Sequence, residues 1–209
     1  MLNKQLPYKN IIMRLDADFA SFLEPNLPEG FKFKFFEEQN LADWAKIETA
    51  VLEFENEIEA QDYFKQKYMP KLKELKKRLF FICNEQNQPI ATTMAWFVNT
   101  KQHGKQLSLG WVSVLPEYQG RGLGKALVLK AFEVYSQLDA QDSIWLDTQT
   151  WSNVAVKLYH NLGFNFCKST SFARDSGELY QNDFKESIEV LRDVFDEDCI
   201  KKFIDTSVE

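Results

Sequence analysis

Apolar and polar positions recur along the chain with two different periods, and these periods predict its first elements. Phe31-Lys32-Phe33-Lys34-Phe35 alternates at period two, which is typical of a half-buried strand. Two helices are predicted next, over about residues 41–52 and 58–77, the second interrupted near Pro70 because proline cannot continue a helix. Residues 79–83 and 90–98 then predict a hairpin of two strands joined by a polar turn.

A strand, a glycine-rich turn and a long amphipathic helix are predicted in the middle of the chain. The apolar run from Leu107 to Val114 indicates the strand, and Pro116 ends it. From Leu123 to Tyr135, apolar residues recur at the three-and-four spacing of a helix that buries one face. We expect a strand over 143–148, a helix over 152–162 stopped by a glycine, and a strand over 164–169.

The predicted elements fit one domain with short extensions. We expect residues 1–30 to form an extended arm, 31–170 the domain, and 171–209 an acidic helical extension. In that extension a helix is predicted over about 182–204, burying Leu191 and Phe195 within the chain or across a dimer. Residues 175–209 contain eleven acidic and four basic residues, while the whole chain has a net charge of -6. The acidity therefore belongs to the C-terminal extension.

Composition argues against several classes of function. No basic stripe with interleaved aromatic residues is present, so no nucleic-acid partner is predicted. No apolar run is as long as a membrane span, and the first residues lack the apolar core of a secretory signal. We therefore expect a cytoplasmic protein without membrane association. Cys83, Cys167 and Cys199 have no metal-ligand spacing, and the chain has two histidines, so no metal is expected.

The turn between the central strand and helix contains the most specific chemistry of the chain. Its glycines permit positive φ and a close approach of the backbone to a ligand, and the first amides of a helix have no partner inside it. Such a turn binds anions. It is not a P-loop, because Ala126 stands where the magnesium-binding Ser or Thr belongs. The glycine spacing also differs from that of a dinucleotide fingerprint.

The turn resembles the Gln/Arg-x-x-Gly-x-Gly/Ala pyrophosphate loop of the GNAT superfamily of acetyl-CoA-dependent N-acetyltransferases, with each specified position matched. About 30 residues later, Asn153, Ala155, Tyr159 and the pair Gly163-Phe164 resemble a second motif of the same family, Asn-x-x-Ala-x-x-x-Tyr-x-x-x-Gly-Phe. The resemblance covers about residues 31–170. It implies an α/β (α+β) fold: a mixed, mostly antiparallel sheet of six or seven strands flanked by helices, with a central parallel pair splayed to hold the cofactor.

The resemblance also implies acetyl-CoA as cosubstrate and an amine as acceptor, which attacks the thioester directly in a ternary complex. The pantetheine arm would follow the backbone of Val112 and Val114 and contact Asn153. The Val112 amide would polarise the thioester carbonyl. Tyr159 would protonate the departing thiolate. The backbone that would hold the pyrophosphate comprises Gln119, Gly120, Arg121, Gly122, Leu123, Gly124 and Lys125.

Four points stay open at this stage. Ser108 stands where some relatives have a glutamate base, so the sequence identifies no general base. A non-catalytic acyl-CoA sensor or scaffold on the same fold is the alternative function, and an unrelated α/β domain with a coincidental glycine turn is a third hypothesis. Trp96, Trp111 and Trp151 either line an acceptor pocket or belong to the core. The chain is expected to be a monomer or a homodimer.

Overall fold

The computed structural model describes residues 2–16, 24–100, 104–138, 143–170, 172–173 and 179–209. The strands are β1 Asn10–Asp16, β2 Lys32–Phe35, β3 Leu79–Cys83, β4 Pro89–Thr100, β5 Gly104–Val114, β6 Ser143–Gln149, β7 Asn165–Phe166, β8 Phe172–Ala173 and β9 Leu179–Tyr180. The α-helices are α1 Leu41–Ala50, α2 Glu57–Lys67, α3 Leu72–Arg78, α4 Leu123–Leu138, α5 Asn153–Asn161, α6 Phe184–Leu191 and α7 Glu197–Asp205.

Seven strands form a mixed sheet in the order β2-β3-β4-β5-β6-β1-β7, and the short strands β8 and β9 extend it from β4. The pairing is mostly antiparallel. One pair, β5 with β6, is parallel, with Leu107 opposite Ile144 and Ser108 opposite Trp145. These features confirm the predicted mixed, mostly antiparallel sheet flanked by helices. The splay of the parallel pair stays a prediction.

The chain divides into two compact units, to which β4 and β5 both contribute. The first unit comprises the described residues of 19–96 and 109–140. It buries Trp44, Phe64, Phe80, Phe81 and one face of α4 completely or almost completely. Because α4 turns its apolar positions to that core, its first residue Leu123 is fixed at the end of the glycine turn.

The second unit comprises the described residues of 2–18, 97–108 and 141–209. A buried cluster of Ile12, Trp145 and Cys167 lies at its centre, with Val98 and Val208 packed against it. The Val208 amide also donates to the Phe166 carbonyl over 2.8 Å, which ties the C-terminal segment to β7.

Residues 10–16 differ from the extended arm expected for residues 1–30. They form β1, an interior strand that pairs antiparallel with β6 along its whole length and with β7 on its other side. Ile11, Ile12 and Met13 are all fully buried. A strand covered on both faces has no alternating pattern, so periodicity alone did not distinguish it from an arm.

The predicted interruption of the second helix is confirmed. α2 ends at Lys67, a 3₁₀ turn spans Met69–Lys71, and α3 begins at Leu72. Pro70 lies inside the 3₁₀ turn, where its missing N–H and fixed φ end the first helix. The segment predicted as a strand over 164–169 is shorter, since β7 covers Asn165–Phe166, followed by a parallel bridge from Cys167 to Val208.

The C-terminal extension contains two helices where one was expected. α6 ends at Leu191, and α7 starts after Asp196, whose side chain accepts a hydrogen bond from the Cys199 amide over 2.8 Å. This side-chain cap satisfies an amide at the start of α7 and defines a new helix end inside the apolar pattern. Leu191 is fully buried within the chain, while Phe195 is half-buried and meets Phe203 edge-on.

Candidate functional site

The glycine turn lies where the sequence places it, between β5 and α4 in the first unit. A 3₁₀ turn over Pro116–Tyr118 follows β5, and α4 begins at Leu123. Gly120 and Gly122 have φ of 76° and 79°. A Cβ built on either glycine would meet no atom within 4 Å, so the backbone conformation requires glycine here, and the packing does not.

Unpaired amides accumulate in this turn. Among the described residues, the amides of Gly120, Arg121 and Gly122 have no backbone acceptor, and the Ala126 amide is bonded to the Gly122 carbonyl at 3.1 Å. The first turn of α4 adds further unpaired N–H groups and the positive end of the helix dipole. Open space above these groups and their common polarity fit a phosphate or pyrophosphate.

The polar side chains of the turn contact the turn itself. The Gln119 side-chain amide donates to the Val114 carbonyl over 2.9 Å, which ties the turn back to β5. Arg121 donates to the Glu117 carbonyl at 3.3 Å, and its guanidinium lies 5.3 Å from the centre of the Tyr118 ring. Lys125 is exposed on the first turn of α4. Arg121 and Lys125 therefore add positive charge at the rim of the turn.

The end of β5 has an irregular backbone. Trp111 has φ 54°, a left-handed conformation that is a clear outlier for a bulky residue. Beside it, the Thr93 hydroxyl donates to the Gly110 carbonyl over 3.0 Å. Val112 and Val114, which follow, are half-buried. An observed outlier of this kind marks a place where the surrounding structure holds the backbone against strain, as at many functional sites.

The residues of the second motif lie on α5 and directly after it, in the second unit. Tyr159 is 7% exposed, and its ring meets Phe164 edge-on at 6.0 Å. Gly163, with φ 94°, follows the helix and turns the chain back, as predicted for the glycine stop. Asn153 is the first residue of α5, is half-buried, and its side chain makes no hydrogen bond to any other described residue.

Asn153 is one residue out of register with the family pattern. That pattern, Asn-x-x-Ala-x-x-x-Tyr, places the asparagine seven residues before the tyrosine. Counting back from Tyr159, the seventh position is Ser152, whereas Asn153 stands six residues before it. Ser152 precedes the first residue of α5 and makes no side-chain cap bond. The position of the asparagine in that pattern is therefore occupied by Ser152, and Asn153 is the next residue.

Ser108, which stands where some relatives have a glutamate base, is a buried serine. It lies on β5, is 8% exposed, and is paired with Trp145.

A buried carboxyl on α1 was not predicted from the sequence. Glu48 on α1 is fully buried, and the Ser113 hydroxyl donates to its Oε2 over 2.9 Å. Burial raises the pKa of Glu48 well above its ordinary value, although the hydrogen bond from Ser113 partly opposes this.

An aromatic cluster fills the first unit between α1, α2 and β5. The Trp111 ring stacks on Phe54 at 5.8 Å and meets the edge of Trp44 at 5.1 Å. Its indole N–H donates to the Tyr68 hydroxyl over 2.7 Å. In the second unit, Trp151 donates its N–H to the Leu6 carbonyl at 2.7 Å. We define the aromatic cluster as Trp44, Phe54, Tyr63, Tyr68, Trp96 and Trp111.

The described residues contain neither a metal-binding cluster nor a membrane-spanning helix. Within the ranges given above, no group of three or more His, Cys, Asp or Glu side chains is arranged to hold a metal ion. In the same ranges, no helix is both long enough and apolar enough to cross a membrane.

Comparison with known families identifies the class. The model of the acetyltransferase (GNAT) family matches residues 39–164, which is more than half of the chain and includes the glycine turn, Asn153 and Tyr159. The chain therefore belongs to the GNAT family of acetyltransferases. The match begins just before α1 and ends with Phe164.

Individual relatives are similar to this chain over only part of the length of each protein. "GCN5-related N-acetyltransferase 2, chloroplastic" of Arabidopsis thaliana is 42% identical over 66 residues, which are 31% of this chain and 24% of the relative. A GCN5-related N-acetyltransferase from Sphaerobacter thermophilus superposes with a TM-score of 0.59 at 20% identity, over 77% of this chain and 49% of that one. The chain thus spans about half the length of that structure.

A smaller structure is covered almost completely. A predicted acetyltransferase from Clostridium acetobutylicum, solved with acetyl-CoA, superposes with a TM-score of 0.50 at 17% identity. The likeness covers 65% of this chain and 90% of that one. At these identities the structural matches establish the fold.

Proposed function

We propose that the chain transfers an acetyl group from acetyl-CoA to an amine, which attacks the thioester directly in a ternary complex. One observation supports this most strongly: the unpaired amides of Gly120, Arg121 and Gly122 stand at the start of α4, in a member of an acetyltransferase family. Acyl-CoA is a polyanion, and its pyrophosphate is the group that such a cradle binds.

Each proposed binding residue has a role that its position supports. The amides of the turn from Gln119 to Lys125 hold the pyrophosphate, with Arg121 and Lys125 adding charge. The backbone of Val112 and Val114 bonds the pantetheine arm as an added strand would. Asn153, whose amide group has no other partner among the described residues, contacts the same arm, with Ser152 beside it. The Val112 N–H polarises the thioester carbonyl.

Proton transfer completes the proposed reaction. When the amine nitrogen bonds to the carbonyl carbon, the carbon–sulfur bond breaks and its electron pair leaves with the thiolate. Tyr159, a buried phenol on α5, donates the proton that the thiolate takes up and regains a proton from solvent, while the attacking nitrogen loses one proton to a base. Binding both reactants in one complex supplies much of the rate, because it replaces a bimolecular encounter with an oriented pair.

The cysteines support direct attack over transfer through an enzyme thiol. Burial raises the pKa of Cys167 to about 12 and also raises the pKa of Cys83 and Cys199. The thiolate is the nucleophilic form of cysteine, so thiols with raised pKa values are poor acyl carriers.

A panel of primary amines, polyamines and aminoacyl compounds tests the proposal. Free thiol would be measured after mixing each amine with acetyl-CoA and the full chain, and product mass would be checked for an added acetyl group. We expect thiol release that depends on both the amine and the protein. An acyl-CoA sensor, the second candidate because Ser108 replaces a carboxylate, would bind acetyl-CoA and release no thiol with any amine.

A further inference from the structure

A buried carboxyl on α1 has an incomplete set of hydrogen bonds. Glu48 is 0% exposed, and Ser113 donates to its Oε2 over 2.9 Å. The other oxygen, Oε1, is buried and has no hydrogen-bond partner. A buried carboxylate with an unpaired oxygen is costly, and the great majority of buried polar atoms in native proteins are paired.

The same helix holds two more unpaired polar atoms. The Trp44 indole N–H and the Thr49 hydroxyl are buried without a hydrogen-bond partner, like Glu48 Oε1. Trp44 precedes Glu48 by four residues, which places both on one face of α1. Three such atoms within six residues of one helix are unusual for a purely structural element. Buried polar groups without a protein partner mark catalytic positions as well as positions of ordered water.

The position of Ser113 connects this helix with the proposed reaction. Ser113 lies on β5 between Val112 and Val114, the two residues proposed to bond the pantetheine arm. Trp44 meets the ring of Trp111 at 5.1 Å, so α1 is fixed against the irregular end of β5 by a ring contact as well as by the hydrogen bond. All of these residues belong to the first unit.

We propose that Ser113 and Glu48 form a proton relay that takes the proton of the attacking amine. The proposal rests on the acetyl transfer proposed above. As the amine nitrogen bonds to the acetyl carbon, its N–H bond breaks and the proton passes to Ser113 Oγ. The Ser113 hydroxyl proton passes at the same time to Glu48 Oε2. The departing thiolate receives its proton separately, from Tyr159, and Glu48 releases its proton to solvent after the product leaves.

The chemistry of Glu48 suits this task. A general base works best when its pKa is near the working pH, and burial moves a carboxyl in that direction. Glu53, in the segment after α1, is the charged group that acts on Glu48, and its negative charge raises the same pKa further. The relay also explains how Ser108 can stand in the position of a carboxylate, since the base would lie on α1.

A purely structural pair makes a different prediction. If Glu48 and Ser113 only pack α1 on β5, their replacement changes stability and leaves the pH dependence of the reaction unchanged. Glu48→Gln keeps the shape and the hydrogen bond to Ser113 but holds no titrating proton. Ser113→Ala keeps the carboxyl and removes the relay, while Ser113→Thr keeps the hydroxyl. Glu57→Gln, at the exposed first turn of α2, is the matched control.

The test measures kcat and kcat/KM against pH for the full chain and these four variants, with an amine that the panel identifies. Acetyl-CoA affinity and thermal unfolding are measured on the same samples. We expect Glu48→Gln and Ser113→Ala to lower kcat about 100-fold and to remove the fall of kcat at low pH, which reports groups of the enzyme–substrate complex. Ser113→Thr restores both, Glu57→Gln behaves as the wild type, and acetyl-CoA affinity is unchanged throughout.

Two results would overturn the relay, and they are distinguishable. If Glu48→Gln or Ser113→Ala is folded and retains the rate and pH profile of the wild type, the pair is structural and the acetyl transfer stands. If the wild type releases no thiol with any amine of the panel, the proposed acetyl transfer is wrong, and the relay is wrong with it.

Discussion

The indole N–H of Trp111 donates to the hydroxyl of Tyr68 over 2.7 Å and so links β5 to the end of α2. Trp111 holds a left-handed backbone conformation, with φ 54°, at the point where β5 approaches Val112. Such a conformation costs about 1–3 kcal/mol and persists only when neighbouring contacts hold it. The bond to Tyr68 and the rings of the aromatic cluster are those contacts.

Tyr68→Phe tests this relationship. It removes the acceptor and leaves the partly buried Trp111 N–H unpaired, so we expect a loss of about 1–3 kcal/mol in the free energy of unfolding, measured by urea denaturation. Tyr63→Phe is the matched control. Its hydroxyl accepts from the flexible Lys67 ammonium at 2.9 Å, which water can replace, so the loss should be smaller. Equal losses would show that the hydrogen bond from Trp111 stabilises the fold no more than the one from Lys67.

Tyr159→Phe separates proton donation from cofactor binding. The ring and its packing on Phe164 remain, and only the hydroxyl is lost. We expect kcat to fall by about 100-fold or more, with the dissociation constant of acetyl-CoA unchanged. Tyr8→Phe, at an exposed tyrosine of the same unit, should have wild-type kinetics. A Tyr159→Phe variant with wild-type kcat would remove Tyr159 from the acid role.

Gly122→Ala tests the turn as a cradle. Alanine is disfavoured at φ 79°, so we expect a loss of stability of about 1–2 kcal/mol. The added Cβ enters the open space above the turn, so acetyl-CoA binding should weaken as well. Gly104→Ala is matched in strain, with φ 65° and no neighbour within 4 Å, but lies outside the turn. It should lose stability and keep affinity. Equal affinity of the two variants would contradict the cradle.

Glu48→Gln also makes a prediction about stability that needs no substrate. The pKa of Glu48 is raised in the folded chain, so between the unfolded and folded pKa values the native state binds more protons. The stability that the neutral carboxyl contributes is full below about pH 4 and is lost as pH rises through the folded pKa. Urea denaturation across pH should show the wild type losing stability relative to Glu48→Gln. Parallel curves would contradict the raised pKa.

The sequence predicted the elements with clear periods. α4, β3 and the interruption at Pro70 appear where apolar spacing and proline place them. β1 was missed, because Ile11, Ile12 and Met13 are buried on both faces and do not alternate. The tail divides into two helices because Asp196 caps α7, and an aspartate within a helical pattern is easily taken for an exposed position.

The proposed binding residues were predictable to the extent that they form sequence motifs. The glycine turn is local in sequence, so its residues predicted the left-handed conformations that the structure shows at Gly120 and Gly122, and they motivate the proposed pyrophosphate ligand. Glu48 and Ser113 are 65 residues apart, and their contact exists only after α1 packs on β5. One signal was available: Glu48 is a single acid on the apolar face that Trp44, Ala45 and Ile47 define. Such an acid indicates a buried carboxyl.

Calorimetric titration of the full chain with acetyl-CoA tests the central claim most directly. The unpaired amides at the start of α4 predict saturable one-to-one binding that free coenzyme A displaces, and that weakens when Gly120 and Gly122 are both replaced by alanine. If the wild-type chain shows no binding at about 1 mM acetyl-CoA, the turn is not the pyrophosphate site of an acetyltransferase, and the proposed function is wrong.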